Sequence, residues 1–220
     1  MLSFRPVRID IVLDVICPWC FIGKRRLERA LALRPEIAPE ISWRPFQLNP
    51  DMPADGMARR DYLASKFGGS QHAQRVYQSA SEAGAAVGIL FAFERAERTP
   101  NTQDAHRLVR RAERAGRAGP MVEAMFRAYF LEGVDLGDPA RLLDLAVDAG
   151  LGRAETRRFL SGEDGLSDML AEDRAARRIG INAVPCFIFE ERYAISGAQE
   201  PEFFLPVFDL VQNGGEVAAS

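Results

Sequence analysis

Residues 7–23 read VRIDIVLDVICPWCFIG, and this stretch decides how the chain folds. From Val7 to Val15, apolar side chains fall on both faces of an extended chain, which is typical of a strand buried on both sides. Pro18 then falls in the first turn of a helix, where its missing N–H costs nothing. Apolar residues at helical spacing continue to Pro35, where that helix must end. The stretch predicts a strand that leads directly into a helix, with two cysteines at the junction.

Further strands are predicted on either side of a long helical stretch. A strand over 41–46 follows the first helix, which makes a parallel strand–helix–strand unit with a right-handed crossover. Near the carboxyl end, apolar runs at 186–189 and 193–196 flank a tight hairpin connection. An amphipathic pattern over 203–211 predicts a last helix. The order of elements is therefore βαβ, a block of helices, then ββα.

The middle of the chain shows almost only helical periodicity, although residues 89–93 also suit a short extended stretch. We therefore predict an α/β protein with a thioredoxin-like fold (βαβ…ββα) interrupted by a large all-helical insertion. The thioredoxin-like domain is discontinuous, over 1–56 and 181–220, and the insertion covers 57–180. The helices predicted within the insertion span 59–66, 70–87, 102–115, 120–131, 139–149 and 166–179.

Composition and charge exclude some classes of partner. The 28 basic and 31 acidic residues give a net charge of −3, so we expect no nucleic acid and no membrane as partner. The first apolar run, 9–16, is short and interrupted by aspartates, and no secretory signal is predicted. No stretch approaches the ~20 apolar residues that span a bilayer. We expect a cytoplasmic protein, in which three cysteines do not suggest a disulfide framework.

Cys17 and Cys20 have the spacing of a redox pair. Two cysteines separated by two residues place both sulfurs on the first turn of one helix, close enough to bridge. The partial positive charge of the helix start favours the thiolate form of Cys17, which is the nucleophilic form. Cys20 lies one turn further in, where it is shielded and suited to resolving a mixed disulfide. The spacing therefore favours catalysis, with Cys17 attacking and Cys20 resolving.

Two other interpretations of the pair stay open at this point. Half of a zinc site would need two further ligands. Cys186, His72 and His106 are scattered along the chain, so we predict no metal. The two cysteines could also simply be buried. The buried strand before the pair and the helix that begins at Pro18 favour redox use over both alternatives.

Several segments resemble the DsbA family of oxidoreductases, particularly its FrnE-like branch. They follow the family's order over nearly the full chain, so the resemblance does not depend on one motif. It implies dithiol–disulfide exchange with protein or small-molecule thiols and disulfides as partners. The segments are 14–23 (DVICPWCFIG), 43–50 (WRPFQLNP) with Met52-Pro53, Asn101-Thr102 with 105–108 (AHRL), Val184-Pro185 and 195–199 (ISGAQ).

The resemblance also implies what surrounds the pair. Val184-Pro185 is expected to be a cis-proline loop that faces the cysteines and offers a backbone edge to a substrate strand. Pro18 and Trp19 are expected to line the cleft with it. His106 is either a cleft residue on a helix above the cysteines or an ordinary packed or surface histidine. Strongly oxidising relatives carry a histidine between the cysteines, whereas Trp19 brings no charge, so we expect a moderate redox enzyme.

Asp14 and Cys186 are two further candidates, each with an ordinary alternative. Asp14, at the carboxyl end of the first strand, could relay a proton to or from Cys20. Alternatively, it is a solvated strand end or a helix cap. Cys186, directly after Pro185, departs from the family, where threonine or an aromatic residue is common. It is a candidate third thiol, although a small buried apolar residue is the usual role of a free cysteine.

Other functions are compatible with this fold. One alternative is a glutathione-dependent enzyme resembling 2-hydroxychromene-2-carboxylate isomerase or kappa-class glutathione transferase, although those proteins usually have serine where this chain has Cys17. Another is a non-catalytic peptide-binding or holdase protein. We expect no bound cofactor, with glutathione as a candidate thiol co-substrate, and the sequence leaves a homodimer open.

Overall fold

The predicted strand–helix–strand unit forms the start of the fold in the computed structural model, which describes residues 6–68 and 70–213. Strand β1 (Val7–Leu13) leads into helix α1 (Pro18–Ala32), and β2 (Pro39–Pro45) returns beside β1. The two strands are parallel, as the sequence predicts. Most of β1 is buried on both faces, which accounts for its nearly continuous apolar sequence.

The middle of the chain is helical, as predicted, with a small strand pair in addition. Strand β3 (Met57–Ala58) pairs antiparallel with β4 (Arg98–Thr99). Strands of two residues are too short to show an alternating pattern, so the sequence does not reveal them. Residues 89–93 form no strand, and the chain turns there through a 3₁₀ helix at Phe93–Arg95. The helices are α2 (Arg59–Phe67), α3 (Ser70–Ala86), α4 (Gln103–Arg114), α5 (Ala118–Arg127), α6 (Pro139–Asp148), α7 (Arg153–Leu160) and α8 (Leu166–Arg178).

Two helical features differ from the sequence prediction. Helix α7 has no predicted counterpart, because only Thr156 and Phe159 of its residues are buried and the apolar period is too weak to detect. The helix predicted over 120–131 is α5, which begins earlier and passes into a π-helical turn at Ala128–Glu132. That turn carries the buried Phe130 into the core.

The carboxyl end returns to the sheet, as predicted. Strand β5 (Cys186–Phe189) pairs antiparallel with β1 and with β6 (Tyr193–Ser196), which gives the sheet order β2-β1-β5-β6. Glu190 and Glu191 both adopt positive φ in the connecting turn, as a tight hairpin requires. Helix α9 (Leu205–Gln212) follows, close to its predicted place. Residues 214–220 lie outside the described part of the chain.

One apolar core joins the sheet to the helices of the insertion. Phe21 of α1 stacks on Phe126 of α5 with 5.0 Å between ring centroids, and Phe130 packs beside both rings. Because this core is shared, it does not separate the two predicted domains, and the boundaries at 56/57 and 180/181 stay a prediction. What the packing does establish is that α5 and the π-helical turn of the insertion pack against α1.

Candidate active site

Cys17 lies at the end of the turn that connects β1 to α1. It is the N-cap of α1, with φ −92° and ψ 113°, and Pro18 follows it at the first helical position. The Cys17 N–H donates to the carbonyl of Asp14 (3.0 Å), and the Cys20 N–H donates to the carbonyl of Cys17 (3.0 Å). The turn before the helix therefore places the Cys17 side chain at the start of α1, where backbone amides have no partner within the helix.

Cys20 lies deeper, beside the sulfur of Cys17. All three cysteines are free thiols, so the structure represents the reduced form. Burial raises the pKa of the Cys20 thiol well above its usual value, and the adjacent Cys17 raises it further. A thiol in this position keeps its proton at neutral pH unless a base removes it. The arrangement suits an attacking Cys17 and a resolving Cys20.

The Val184-Pro185 loop faces the pair. Its peptide bond is cis, and the Cys17 thiol donates to the Val184 carbonyl across 3.5 Å. Gly23 of α1 allows this approach, because a Cβ built there would lie 2.8 Å from Cγ of Pro185 and 3.0 Å from Phe187. Close packing between α1 and the loop therefore holds the cysteine and the loop at contact distance.

Asp14 is completely buried, with 0% of its surface exposed. Its Oδ2 accepts a hydrogen bond from the backbone N–H of Leu48 (2.7 Å), and its Oδ1 lies 3.3 Å from Nε2 of His106. Burial rules out a solvated strand end, and the Leu48 contact is in a loop, so Asp14 is not a helix cap either. The candidate that remains is a buried carboxyl group near Cys20.

His106 comes from α4 in the insertion and is 2% exposed, so it is a buried residue and does not line an open surface. Its Nε2 faces Asp14 Oδ1 without the alignment of a hydrogen bond, and neither atom has another hydrogen-bond partner among residues 6–68 and 70–213. The sequence indicates Asp14 and His106 as two separate candidates near the cysteines. It gave no sign that they form a pair.

Cys186 is buried on β5, directly after the cis-proline, and pairs in register with Val12 of β1. Burial raises the pKa of its thiol. Within the part of the chain that the structure describes, no hydrogen bond joins it to Cys17 or Cys20. A third redox thiol at this position stays a prediction, and the packing is that of a small apolar residue.

Of the aromatic and apolar residues near the pair, some lie in the core and some at the surface. Phe21 and Phe46 are buried core residues, whereas Pro18, Trp19 and Leu48 are partly exposed. The surface open to a partner beside Cys17 is therefore formed by the two residues between the cysteines and by the loop that follows β2.

Helix α2 adds residues that the sequence did not single out. Tyr62 is buried against the Asn49 amide, in electrostatic contact with both Cys17 and Asp14. Lys66, one turn further along, donates to Oδ1 of Asn49 (3.1 Å). The signal that could have revealed them is the spacing of Arg59, Tyr62 and Lys66 along one face of a helix.

Two negative findings concern the described residues alone. Among residues 6–68 and 70–213, no group of three or more His, Cys, Asp or Glu side chains is placed to hold a metal ion. None of the helices in these ranges is both long and apolar enough to cross a membrane.

A thioredoxin-like sheet with a cysteine pair at the start of a helix, beside a cis-proline loop, is typical of the class of thiol–disulfide proteins, and comparison with known proteins identifies the family. The model of the DSBA-like thioredoxin domain matches residues 8–208. The crystal structure of a probable DsbA oxidoreductase from Streptomyces coelicolor is 32% identical, with a TM-score of 0.85 over 97% of this chain and 92% of that one.

Two further proteins are similar to this chain, one in sequence and one in structure. The Bacillus subtilis protein YwbO is 27% identical over 204 residues, which cover 90% of this chain and 94% of that protein. The cytosolic disulfide reductase DsbM from Pseudomonas aeruginosa, solved with glutathione, is 19% identical with a TM-score of 0.64 over 94% of this chain and 99% of that one. The chain belongs to the DsbA-like thioredoxin domain family, which consists of redox enzymes acting on thiols and disulfides. Its place in the FrnE-like branch stays a prediction.

Proposed function

We propose that this protein exchanges disulfides with protein or small-molecule thiols, with Cys17 as the attacking thiol and Cys20 as the resolving thiol. The observation that carries the proposal is the position of Cys17 at the N-cap of α1, within 3.5 Å of the Val184 carbonyl and beside a deeper Cys20. A substrate strand can pair along the backbone at Val184, with Pro18 and Trp19 at its other side.

In the direction that oxidises the enzyme and reduces the substrate, the Cys17 thiolate attacks one sulfur of a substrate disulfide. The substrate S–S bond breaks, a mixed disulfide forms on Cys17, and one substrate thiolate leaves and takes up a proton. Cys20 then loses its proton and attacks the Cys17 sulfur, which releases the second substrate thiol. The substrate is reduced by two electrons and the Cys17–Cys20 pair is oxidised. The reverse sequence oxidises a substrate dithiol.

Asp14 is the base that we assign to Cys20. Its carboxyl group is buried, within electrostatic reach of the Cys20 thiol, and its Oδ1 has no hydrogen-bond partner among the described residues. A proton that leaves Cys20 in this apolar setting needs an acceptor nearby, since water is excluded. His106 faces the same carboxyl oxygen, with its Nε2 3.3 Å from Asp14 Oδ1.

We also propose a cytoplasmic setting in which glutathione is the thiol co-substrate and no cofactor is bound. The support is the glutathione solved with DsbM, a relative of the same fold. Homodimer formation and a redox role for Cys186 stay predictions.

Trapping of mixed disulfides on Cys17 tests the proposed disulfide exchange. A Cys20→Ser variant is expected to accumulate mixed disulfides on Cys17, because no resolving thiol remains, whereas Cys17→Ser is expected to accumulate none. Insulin reduction should be lost in Cys17→Ser. Cys186→Ser removes one thiol outside the pair: wild-type behaviour would show that the exchange needs only Cys17 and Cys20, and a loss of activity would support the predicted redox role of Cys186. If the wild type reduces insulin no faster than Cys17→Ser does, the reduction does not depend on Cys17, which would favour a non-catalytic protein. Glutathione conjugation that survives Cys20→Ser would favour a glutathione transferase or isomerase.

A further inference from the structure

Two charged side chains of α8 hold the loop that follows β2. Asp173 and Arg177 are four residues apart on the helix and form an ion pair, with Arg177 Nε 3.0 Å from Asp173 Oδ2. Both side chains also bind the backbone of Gln47. The Gln47 N–H donates to Asp173 Oδ1 (2.8 Å), and the Arg177 guanidinium donates to the Gln47 carbonyl. The ion pair therefore occupies the backbone donor and the backbone acceptor of one loop residue.

The peptide group that Arg177 binds is the one that reaches Asp14. The carbonyl of Gln47 and the N–H of Leu48 belong to a single amide, and this N–H donates to Asp14 Oδ2 (2.7 Å). A cation bonded to the oxygen of an amide polarises it and makes its N–H a stronger donor, so the two hydrogen bonds strengthen each other. Arg177 is therefore connected to the Asp14 carboxyl group by two hydrogen bonds through one amide.

The contacts of Arg177 use the planar shape of its guanidinium. The group donates twice to Asp173, at 3.0 Å each, and once to the Gln47 carbonyl. Its central carbon also lies 4.1 Å from the centre of the buried Phe46 ring. A flat group with five fixed donors can make these contacts together, whereas a lysine ammonium has neither the plane nor the reach in two directions. The site therefore favours arginine over lysine.

The bond from Leu48 also decides which oxygen of Asp14 is free. Asp14 is completely buried and lies beside Cys20, whose thiol is in hydrogen-bond contact with the Asp14 backbone. Its Oδ2 is occupied by the Leu48 N–H, whereas its Oδ1 has no hydrogen-bond partner among residues 6–68 and 70–213. The carboxyl group cannot rotate without breaking the bond to Leu48. Oδ1 is thus kept as the oxygen that can accept a proton.

We propose that Arg177 is a positioning residue for the deprotonation of Cys20 and acts through the Gln47–Leu48 peptide group on the Asp14 carboxyl group. It keeps the Leu48 N–H directed at Oδ2, and the fixed carboxyl group offers Oδ1 to the Cys20 proton. This role rests on the exchange proposed above and adds a residue of the insertion to its second step.

The step that Arg177 supports begins from the mixed disulfide between Cys17 and the substrate. The S–H bond of Cys20 breaks, and its proton passes to Asp14. The Cys20 sulfur then bonds to the Cys17 sulfur while the bond between Cys17 and the substrate breaks. The substrate leaves as a thiolate, which takes up a proton. The first step, the attack by Cys17, does not use Asp14, so removal of Arg177 should slow only the second step.

The test measures the two steps separately. Reduced protein is mixed with hydroxyethyl disulfide, and quenched-flow mass spectrometry follows the formation of the mixed disulfide on Cys17 and its resolution by Cys20. In Arg177→Gln, we expect resolution to slow about tenfold, the loss typical of a charge-assisted hydrogen bond, and formation to stay within about twofold of the wild type. Arg177→Lys keeps the charge without the planar donors and should recover part of the resolution rate.

A double-mutant cycle separates an effect through Asp14 from a general disturbance of the loop. If Arg177 acts through the Asp14 carboxyl group, adding Arg177→Gln to Asp14→Asn should change the resolution rate by less than about twofold, because the proton acceptor is already gone. A further fall of about tenfold in the double variant would overturn the proposal. An equal slowing of both steps in Arg177→Gln would overturn it too, since that result indicates a loosened loop.

Arg178→Gln is the matched control, because it removes the same charge from the next residue of α8 at an exposed side chain. Both rates should stay within about twofold of the wild type. Slowing of resolution in Arg178→Gln equal to that in Arg177→Gln would show that the loss of any charge at this helix end is sufficient, and the proposal would fail.

The amide resonance of Leu48 separates failure of this role from failure of the proposed function. A strong hydrogen bond to a carboxylate moves an amide proton downfield, so the Leu48 proton should move upfield in Arg177→Gln and stay in place in Arg178→Gln. If the wild type exchanges no disulfide yet shows this pattern, the exchange function fails and the connection from Arg177 to Asp14 stands. If the wild type exchanges disulfides and Arg177→Gln resolves as fast, the role of Arg177 fails and the exchange function stands.

Discussion

The two sides of the Cys17–Cys20 pair are built differently. On one side, α1 and the Val184-Pro185 loop touch through Gly23, and the contact is apolar and tightly packed. On the other side, the buried Asp14 at the end of β1 meets polar groups from the loop after β2 and from α4, among them the Leu48 N–H and His106. The thioredoxin-like part of the chain thus fixes where the sulfurs lie and supplies Asp14, while the insertion supplies His106 beside that carboxyl group. Changes on the first side should alter the position of the loop beside Cys17 and the stability of the protein. Changes on the second side should alter proton transfer at Cys20.

The largest effect is expected on the polar side, from Asp14→Asn. The amide is isosteric and still accepts the Leu48 N–H, but it cannot take a proton from Cys20, so resolution of the mixed disulfide should slow about 10²-fold at pH 7. Because the pKa of Cys20 is raised, its thiolate forms without help only at high pH. The defect should therefore shrink as pH rises. Quenched-flow mass spectrometry of the mixed disulfide measures this rate.

Asp10→Asn is the control for that experiment. Asp10 lies on the same strand and pairs with Arg44 (2.7 Å) near the surface, away from the cysteines. It should leave the resolution rate within about twofold of the wild type. A defect in Asp14→Asn that is the same at every pH would contradict a base and would instead indicate a structural role for the carboxyl group.

The next effect is on the packed side, from Gly23→Ala. The new methyl group meets Pro185 and Phe187 at 2.8 and 3.0 Å, and overpacking of this kind costs about 1–3 kcal/mol, partly offset by ~1 kcal/mol of helix propensity. The net cost of up to about 2 kcal/mol should lower the melting temperature by up to about 8 °C, and exchange should slow because the loop moves away from Cys17. Calorimetry and insulin reduction measure the two consequences.

Gly119→Ala makes the same change in α5, where a Cβ meets nothing within 4 Å. It should keep or slightly raise the melting temperature and leave the exchange rate unchanged. If both variants behave alike, the close approach at Gly23 is not what holds the loop in place.

This contrast also explains how much the sequence could reveal. On the packed side, the apolar strand, Pro18 and the cysteine spacing are adjacent in the sequence and predict the junction of β1 and α1, whereas the Val184-Pro185 loop is predicted only through the resemblance to the family. The polar side depends on distant contacts. Nothing near Asp14 indicates that His106 will be its neighbour, because that requires α4 to dock beneath the sheet edge. Likewise, the Asp173 and Arg177 side chains that hold the backbone of Gln47 come from α8, far along the chain.

A smaller effect is expected at the boundary between the two sides, from Trp19→His. An imidazolium beside the helix start would stabilise the Cys17 thiolate and so favour the reduced pair. The equilibrium constant with glutathione should shift about tenfold toward reduced protein, which makes the variant more oxidising. Alkylation of free thiols in glutathione buffers of graded ratio measures the shift. Trp19→Phe, which removes the indole without adding charge, should shift it far less, and an equal shift in both would argue against a charge effect.

The smallest change needs no substitution and distinguishes the three thiols themselves. Thiolates react with iodoacetamide and thiols do not, so a raised pKa delays labelling. Burial raises the pKa of both Cys20 and Cys186, whereas Cys17 stands at the helix start beside its amides. In native reduced protein at pH 7, we expect Cys17 to be labelled first and the other two only as pH rises or the protein unfolds. Peptide mass spectrometry over time gives the order. Early labelling of Cys186 would mean that this thiol is accessible and nucleophilic, and it would then belong to the redox site and not to the packed side.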